Sequence, residues 1–406
     1  MLGPRPPAPH PGSLARWLRF PRIDVTGSAI ACGQRWGQAR GVAEPDTPPG
    51  PVLVVNAGST GVKLRVVDGD GEATAIDDLD DAPARLGAVG HRVVYGGDGF
   101  TAPTVIDDRV AAALERQSAV APLHNVPALR WIARARERFP GVPQVAVFDT
   151  AFHATMPDEA AVYPVPEEWR TAHGVRRNGF HGLSVEWAVE RAAGMLARDP
   201  GELRLVVCHL GGGASATAVS GGLSVDTTMG FSPLEGLMMA TRAGTIDPDV
   251  PLHLILHGGM DPQEVRRMLS QDSGLTALAG TADMREAERR AAAGDPPAML
   301  ALAVHDHRLA AGVAAMTAAL GGLDAVVFTG GVGEGSARVR AEAARRLAFL
   351  GLAVDPARNG AARGDADVSA PDATVRTLVV RAREELAIAR GARRALAPAV
   401  AGAVAP

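Results

Sequence analysis

The chain has 406 residues, too many for one ordinary hydrophobic core, so two or three domains are expected. Hydrophobic residues make up 47%, charged residues 21% and aromatics 4%, which excludes wholesale disorder and suits an α/β protein with Ala, Val and Leu interiors. A formal net charge of −4 excludes the basic surface that general nucleic-acid binding needs, so any phosphate must be gripped locally.

Residues 1–50 carry prolines at 4, 6, 7, 9, 11, 21, 45, 48 and 49 without sustained hydrophobic periodicity, and read as a flexible leader. Within it "LARWLRFPRI" has the look of a short amphipathic or targeting element, but no apolar signal core is present. From Pro51 the pattern alternates strands and helices. "LVVNAGSTGVKLRVV" reads as a hairpin with an unusually wide polar turn, and "AVGHRVVYGG" as a strand. "RVAAALERQSAVA" and "ALRWIARARERF" read as helices and "QVAVFDTAF" as a buried strand. The second half repeats the plan. "LRLVVCHLGGGASATAV" is strand, glycine turn and strand, and "LDAVVFTGGVGEGSARVRAEAARRLAFLG" is strand, glycine turn and helix. Two hairpins of one design, about 150 residues apart, suggest two similar domains with a ligand between them, since solenoid periods are shorter. Ala-rich stretches at 300–320 and 338–350 supply covering helices, and "AREELAIARGARRAL" is expected to pack back on the first domain.

Cys32 and Cys208 lie far apart and outside any ligand spacing, which excludes a disulfide framework or a thiolate zinc site and fits a cytoplasmic location. No apolar run approaches the ~18 residues of a membrane span.

Glycine turns let backbone N–H groups approach phosphate oxygens. Three have that form: "NAGSTG" at 56–61, "HLGGGAS" at 209–215 and "TGGVGEGS" at 329–336. None has the Walker pattern, and "GGVGEG" lacks dinucleotide-fold spacing. Asp149 follows a buried strand at its C-terminal end, where α/β proteins place ligand sites.

Ten segments, from "VLVVNAGSTGVKL" through "GHRVVYGG", "VFDTAFHATMP", "RRNGFHGLS" and "MGFSPLEGLMMATRAGTIDP" to "REELAIAR", resemble in order the signatures of the acetate kinase family and span residues 52–390. The resemblance implies an α/β fold of two ribonuclease-H-like (actin-like ATPase) domains flanking a nucleotide cleft. The expected division is 51–152 plus 386–400 for the first domain and 153–385 for the second. It implies Mg2+, or Mn2+, with ATP/ADP and acetate/acetyl phosphate as substrates, a homodimer, and neither nucleic acid nor membrane as partner. The rivals are a propionate or butyrate kinase, a non-catalytic actin-like nucleotide-binding protein, and an enzyme that uses pyrophosphate or another nucleotide, which the altered triplet at Met284 leaves open.

Residue by residue, the resemblance places Asn56 and Glu384 at the metal and Lys63 near the phosphates. Arg92 and Arg242 match arginines around the carboxylate and the transferred phosphoryl group, where planar multidentate cations suit two approaching anions. Asp149 and His181 match catalytic positions, and for Asp149 a metal or electrostatic role is preferred, because a carboxylate nucleophile is already ionised at pH 7. Val94, Leu123, Phe180 and Pro233 match the methyl pocket, with His124 at substrate. His209, Leu210, Gly211, Gly212 and Gly213, the triplet Asp283, Met284 and Arg285, and Gly331, Val332, Gly333, Glu334 and Gly335 match the nucleotide site. The sequence departs from the family pattern at Tyr95, Asn178, Gly212 and Met284.

Overall fold

The computed structural model describes residues 50–58, 61–118 and 122–397, the side chains of 122–124 excepted. The expected leader lies outside the described residues except for Gly50.

Two six-stranded sheets follow one plan. The first contains β1 (Val52–Gly58), β2 (Gly61–Val67), β3 (Ala73–Ile76), β4 (Ala88–Val93), β5 (Thr104–Val105) and β6 (Gln144–Phe148), in the order β3-β2-β1-β4-β6-β5. The second contains β7 (Arg204–Leu210), β8 (Ala214–Ser220), β9 (Leu223–Thr227), β10 (Ala325–Thr329), β11 (Ala366–Asp367) and β12 (Arg376–Val379), in the order β11-β12-β10-β7-β8-β9. In each, an antiparallel three-strand meander is joined through its first strand to two further parallel strands: β1, β4 and β6 in one sheet, β7, β10 and β12 in the other. The repeat expected from the two hairpins is therefore a repeat of the whole sheet.

The parallel strands are largely apolar because both faces of each sheet are covered. Val54, Val145 and Val147 on one face of the first sheet pack with Ile388 and Ala392 of the helix Glu384–Leu396. Leu53, Val55 and Val89 on the other face pack with Ala135 and Phe139, at the end of the helix Pro122–Arg138. Ile388 is fully buried, and its transfer from water is worth roughly 1.5–3 kcal/mol. The C-terminal helix thus returns to the first sheet, as its sequence suggested. In the second sheet Val206 and Phe328 meet Leu302, Leu309, Val313 and Met316 of the 25-residue helix Pro296–Leu320.

Two local expectations need correction. The first hairpin's ladder runs further than expected: Asn56, Ala57 and Gly58 stay in β1 and pair with Lys63, Val62 and Gly61. Small residues can complete a ladder as well as end one. The glycine turn after β10 is also not an open loop, because Gly330–Gly335 winds into a short helix before the helix Ala337–Arg346.

Candidate active site

The C-terminal ends of the parallel strands converge on a cavity of ≈310 Å³. Arg92 stands near the end of β4, opposite Val147 of β6, and Asp149 follows β6 with its N–H donating to the Val93 carbonyl at 3.1 Å. Arg92 donates from Nε and Nη2 to the two Asp149 oxygens at 2.9 and 2.6 Å, and from Nη1 to Asn56 Oδ1 at 3.1 Å. Asn56 Nδ2 donates to Glu384 Oε2 at 2.8 Å, and that carboxylate lies 3.6 Å from Arg92 Nη1. Asn56, Arg92, Asp149 and Glu384 are therefore one network, although Glu384 is 328 residues from Asn56. Lys63 lines the same cavity from β2.

Burial would lower the Arg92 pKa, but Asp149 and Glu384 more than reverse this and hold it well above the ordinary arginine range. Burial pushes the Asp149 carboxyl up, and the two-bond contact with Arg92 opposes that rise. Burial also works against ionisation of Glu384. Arg92, His209, the Asn56 hydrogen bond and Lys63 outweigh it and leave that carboxyl below its usual value.

His181 adopts φ 61°, a left-handed conformation costing roughly 1–2 kcal/mol in a residue with a Cβ. The following Gly182 explains how the turn is held. Its N–H donates to the Asp149 carbonyl at 2.9 Å, and a Cβ there would lie 2.1 Å from that oxygen, so only glycine permits the approach. The His181 ring stacks on His209, with centroids 4.2 Å apart, while Ser215 and Ser184 hydroxyls lie 3.1 and 2.8 Å from their respective Nδ1 atoms. Burial first, then His209, Arg92 and Arg242, hold His181 well below the usual histidine range. His181 is thereby held neutral at pH 7. Burial lowers His209 as well.

Arg242 enters from the opposite wall. Its Nη1 donates to the Pro233 carbonyl at 3.2 Å, and among the described residues no carboxylate pairs with it. A Cβ built on Gly213 would sit 3.1 Å from His181 Nε2 and 3.4 Å from Arg242 Nη1, so both side chains converge on the Gly211–Gly213 turn. Val94, Phe180 and Pro233 supply the apolar part of the lining.

Of the residues singled out in the sequence, Asn56, Lys63, Arg92, Val94, Asp149, Phe180, His181, His209, Gly211, Gly212, Gly213, Pro233, Arg242, Gly331 and Glu384 line this cavity. Leu210 is buried behind it. Val332, Gly333, Glu334 and Gly335 continue along the short helix beyond Gly331. Asp283 caps the helix Met284–Ala292 and pairs with the exposed Arg285 at 3.2 Å, while Met284 is buried; none of the three lines the cavity. Leu123 and His124 lie on the helix Pro122–Arg138, and their side chains are outside the described residues. Gly58, Gly330, Ala382 and Glu385 also line the cavity and were not singled out. Glu385 had a visible signal, being the second acid of "REEL".

Among the described residues no cluster of three His, Cys, Asp or Glu side chains can hold a metal alone. The oxygen donors Asp149, Glu384 and Asn56 nevertheless fit a hard divalent ion such as Mg2+, which uses one or two carboxylates and fills its shell with water and phosphate oxygens.

Two sheets of one plan around a cleft lined by cations, carboxylates and glycine turns define an α/β protein of the actin-like ATPase type. The acetokinase family model matches residues 73–390. An acetate kinase of Streptomyces avermitilis is 51% identical over 321 residues, covering 79% of each chain. A crystal structure of Porphyromonas gingivalis acetate kinase superposes with a TM-score of 0.76 at 32% identity, covering 86% of this chain and 100% of that one. A propionate kinase structure from Francisella tularensis gives 0.79 at 34% identity, covering 85% and 99%. The chain belongs to the acetokinase family.

Proposed function

We propose that the chain catalyses reversible transfer of the ATP γ-phosphoryl group to acetate, giving acetyl phosphate and ADP. Besides family membership, the observation that carries this reading is the convergence of Arg92, Arg242 and His181 on one cavity whose apolar wall is Val94, Phe180 and Pro233. The acetate carboxylate is ionised at neutral pH and attacks phosphorus in line without a general base. Three of the five N–H donors of Arg92 are engaged by Asp149 and Asn56, leaving two to orient acetate. Arg242 and the neutral His181 stabilise the equatorial oxygens, so positioning and charge neutralisation supply the catalysis. Asn56, Asp149 and Glu384 would hold Mg2+, partly through water. The ion, when bound, neutralises phosphate charge. Lys63, His209 and the Gly211–Gly213 and Gly331–Gly335 segments would hold ATP, with Asp283–Arg285 toward the base and Leu123 and His124 toward acetate.

Further assignments belong to the same reading. The domains are 51–152 with 386–400, and 153–385; contacts of the C-terminal helix with the first sheet support the division. A homodimer is favoured by the helix Asp249–Leu256, which exposes Val250, Leu252, Leu254 and Leu256, the last at 72%. A cytoplasmic location, with neither nucleic acid nor membrane as partner, agrees with a free Cys208 and the net charge of −4.

The likeness to the Francisella structure favours one second reading, a preference for propionate. The test is a hydroxylamine trap for acyl phosphate with purified protein, Mg-ATP and a series of short carboxylic acids. Acetate should give the highest specificity constant. Propionate should fall roughly ten-fold lower, because an added methylene meets a filled pocket. Higher use of propionate would establish the second reading, and no hydroxamate with any acid would remove both.

A further inference from the structure

We propose that Tyr163, Glu235 and Arg177 form a clamp that positions the loop carrying Pro233 and Arg242, and so act as positioning residues for phosphoryl transfer. This rests on the reading above, in which Arg242 meets the transferred group. Glu235 belongs to the loop itself, while Tyr163 and Arg177 reach it from other parts of the chain.

The Tyr163 hydroxyl is a relay: it donates to Glu235 Oε2 and accepts the Phe231 N–H at 2.9 Å. The Arg177 guanidinium binds the other Glu235 oxygen at 2.8 Å and donates to the Thr227 and Thr228 carbonyls at 3.0 and 3.3 Å, at the loop's start. It also lies 5.4 Å from the Tyr163 ring centroid, so ring and cation brace each other. Burial and the Glu235 contact raise the Tyr163 phenol above its ordinary range, so it stays protonated and keeps donating.

The fit against the backbone is close. A Cβ on Gly230 would fall 1.7 Å from Glu235 Oε2 and 2.0 Å from the Tyr163 hydroxyl oxygen. Glycine at 230 therefore lets the carboxylate and phenol touch the loop. The clamp fixes the loop at 227, 228, 231 and 235, on both sides of Pro233. Arg242 in turn depends on Pro233, whose carbonyl is the oxygen its Nη1 finds. A displaced 231–235 segment would shift the apolar wall and the aim of the second arginine together, whereas the loop's hydrogen bond to the turn at 211–213, from the Ala240 N–H to the Gly212 carbonyl at 3.4 Å, lies outside that segment.

That separation is the test. Full-length wild type, Tyr163→Phe, Glu235→Gln, Arg177→Lys and the Tyr163→Phe/Glu235→Gln double variant are compared for hydroxamate formation, KM for acetate, KM for ATP and melting temperature. Tyr163→Phe keeps the ring and loses only the relay. It should lower kcat roughly ten- to hundred-fold and raise KM for acetate several-fold, the scale of a misplaced reacting group, while KM for ATP stays within about two-fold. The double variant should lose little more than the worse single variant, as for residues acting as one unit. Wild-type kcat and KM in Tyr163→Phe and Glu235→Gln, with or without a lowered melting temperature, would reduce the clamp to a structural brace and overturn the proposal. If Arg177→Lys fails to fold, the other two variants decide. Absence of acyl phosphate with the wild type itself would instead refute the functional reading, and the proposal with it.

Discussion

Arg92 and Arg242 are both arginines of the cavity, yet their surroundings give them different work. Arg92 is locked by Asp149 and Asn56, whereas among the described residues the Arg242 side chain hydrogen-bonds only to the Pro233 carbonyl and the Met239 sulfur. A desolvated cation without a carboxylate partner is available to an anion that develops charge. Arg242→Ala is therefore expected to lower kcat by roughly two to four orders of magnitude while leaving KM for ATP nearly unchanged. Near-normal turnover in that variant would remove Arg242 from the transition state. For Asp149 the two-bond contact with Arg92 argues for an electrostatic and metal-holding role. Asp149→Asn should slow the reaction and raise the Mg2+ concentration giving half-maximal rate. An unchanged Mg2+ dependence with only a shifted pH profile would show acid/base chemistry instead.

Elements show how a site made of distant residues is assembled. The segment from β6 to the helix Gly182–Leu196 brings Asp149 and His181 together, and the Gly182 N–H holds the turn by donating to the Asp149 carbonyl. Gly182→Ala should cost at least about 1–3 kcal/mol, since its Cβ must displace backbone rather than a flexible side-chain end. A thermal melt checks this, and an unchanged midpoint would show that the turn yields easily. Much of this level was legible in the sequence. Apolar periodicity located β1, β2, β7 and β8, a strand's C-terminal end marked Asp149, and the resemblance to the acetate kinase family singled out Arg92 and His209. Strand ends were less legible, because Asn56–Gly58 read as turn residues while pairing with 61–63 decides their state. The Tyr163–Glu235–Arg177 clamp left no local trace. Its contacts span 72 and 58 residues, and each side chain alone reads as ordinary surface.

Across the molecule, buried neutral histidines tie stability to pH. His91, on β4, donates from Nε2 to Gln144 Oε1 at 2.8 Å, and among the described residues its buried Nδ1 has no partner. His153 donates from Nε2 to the Phe180 carbonyl and accepts at Nδ1 from Ser224 on β9, each at 2.9 Å, so it joins the end of β6 to the second sheet. Burial lowers both from 6.5 to about 4. Above pH 6.5 both states are unprotonated and the histidines are neutral to stability. As pH falls from 6.5 to about 4 the unfolded chain takes up protons that the folded chain refuses, so stability is lost across that window. Each site should contribute a slope of about 1.4 kcal/mol per pH unit and a total loss of roughly 3 kcal/mol by pH 4. Carboxylates held low by arginines lose stability over lower pH values, so a variant is needed to isolate the histidine part. His91→Gln keeps an N–H donor near the Nε2 position and removes the titration. Urea unfolding of wild type and His91→Gln between pH 7 and 4 should show the variant's stability falling less steeply, by about one proton. Parallel profiles would mean that His91 finds a way to protonate inside the fold.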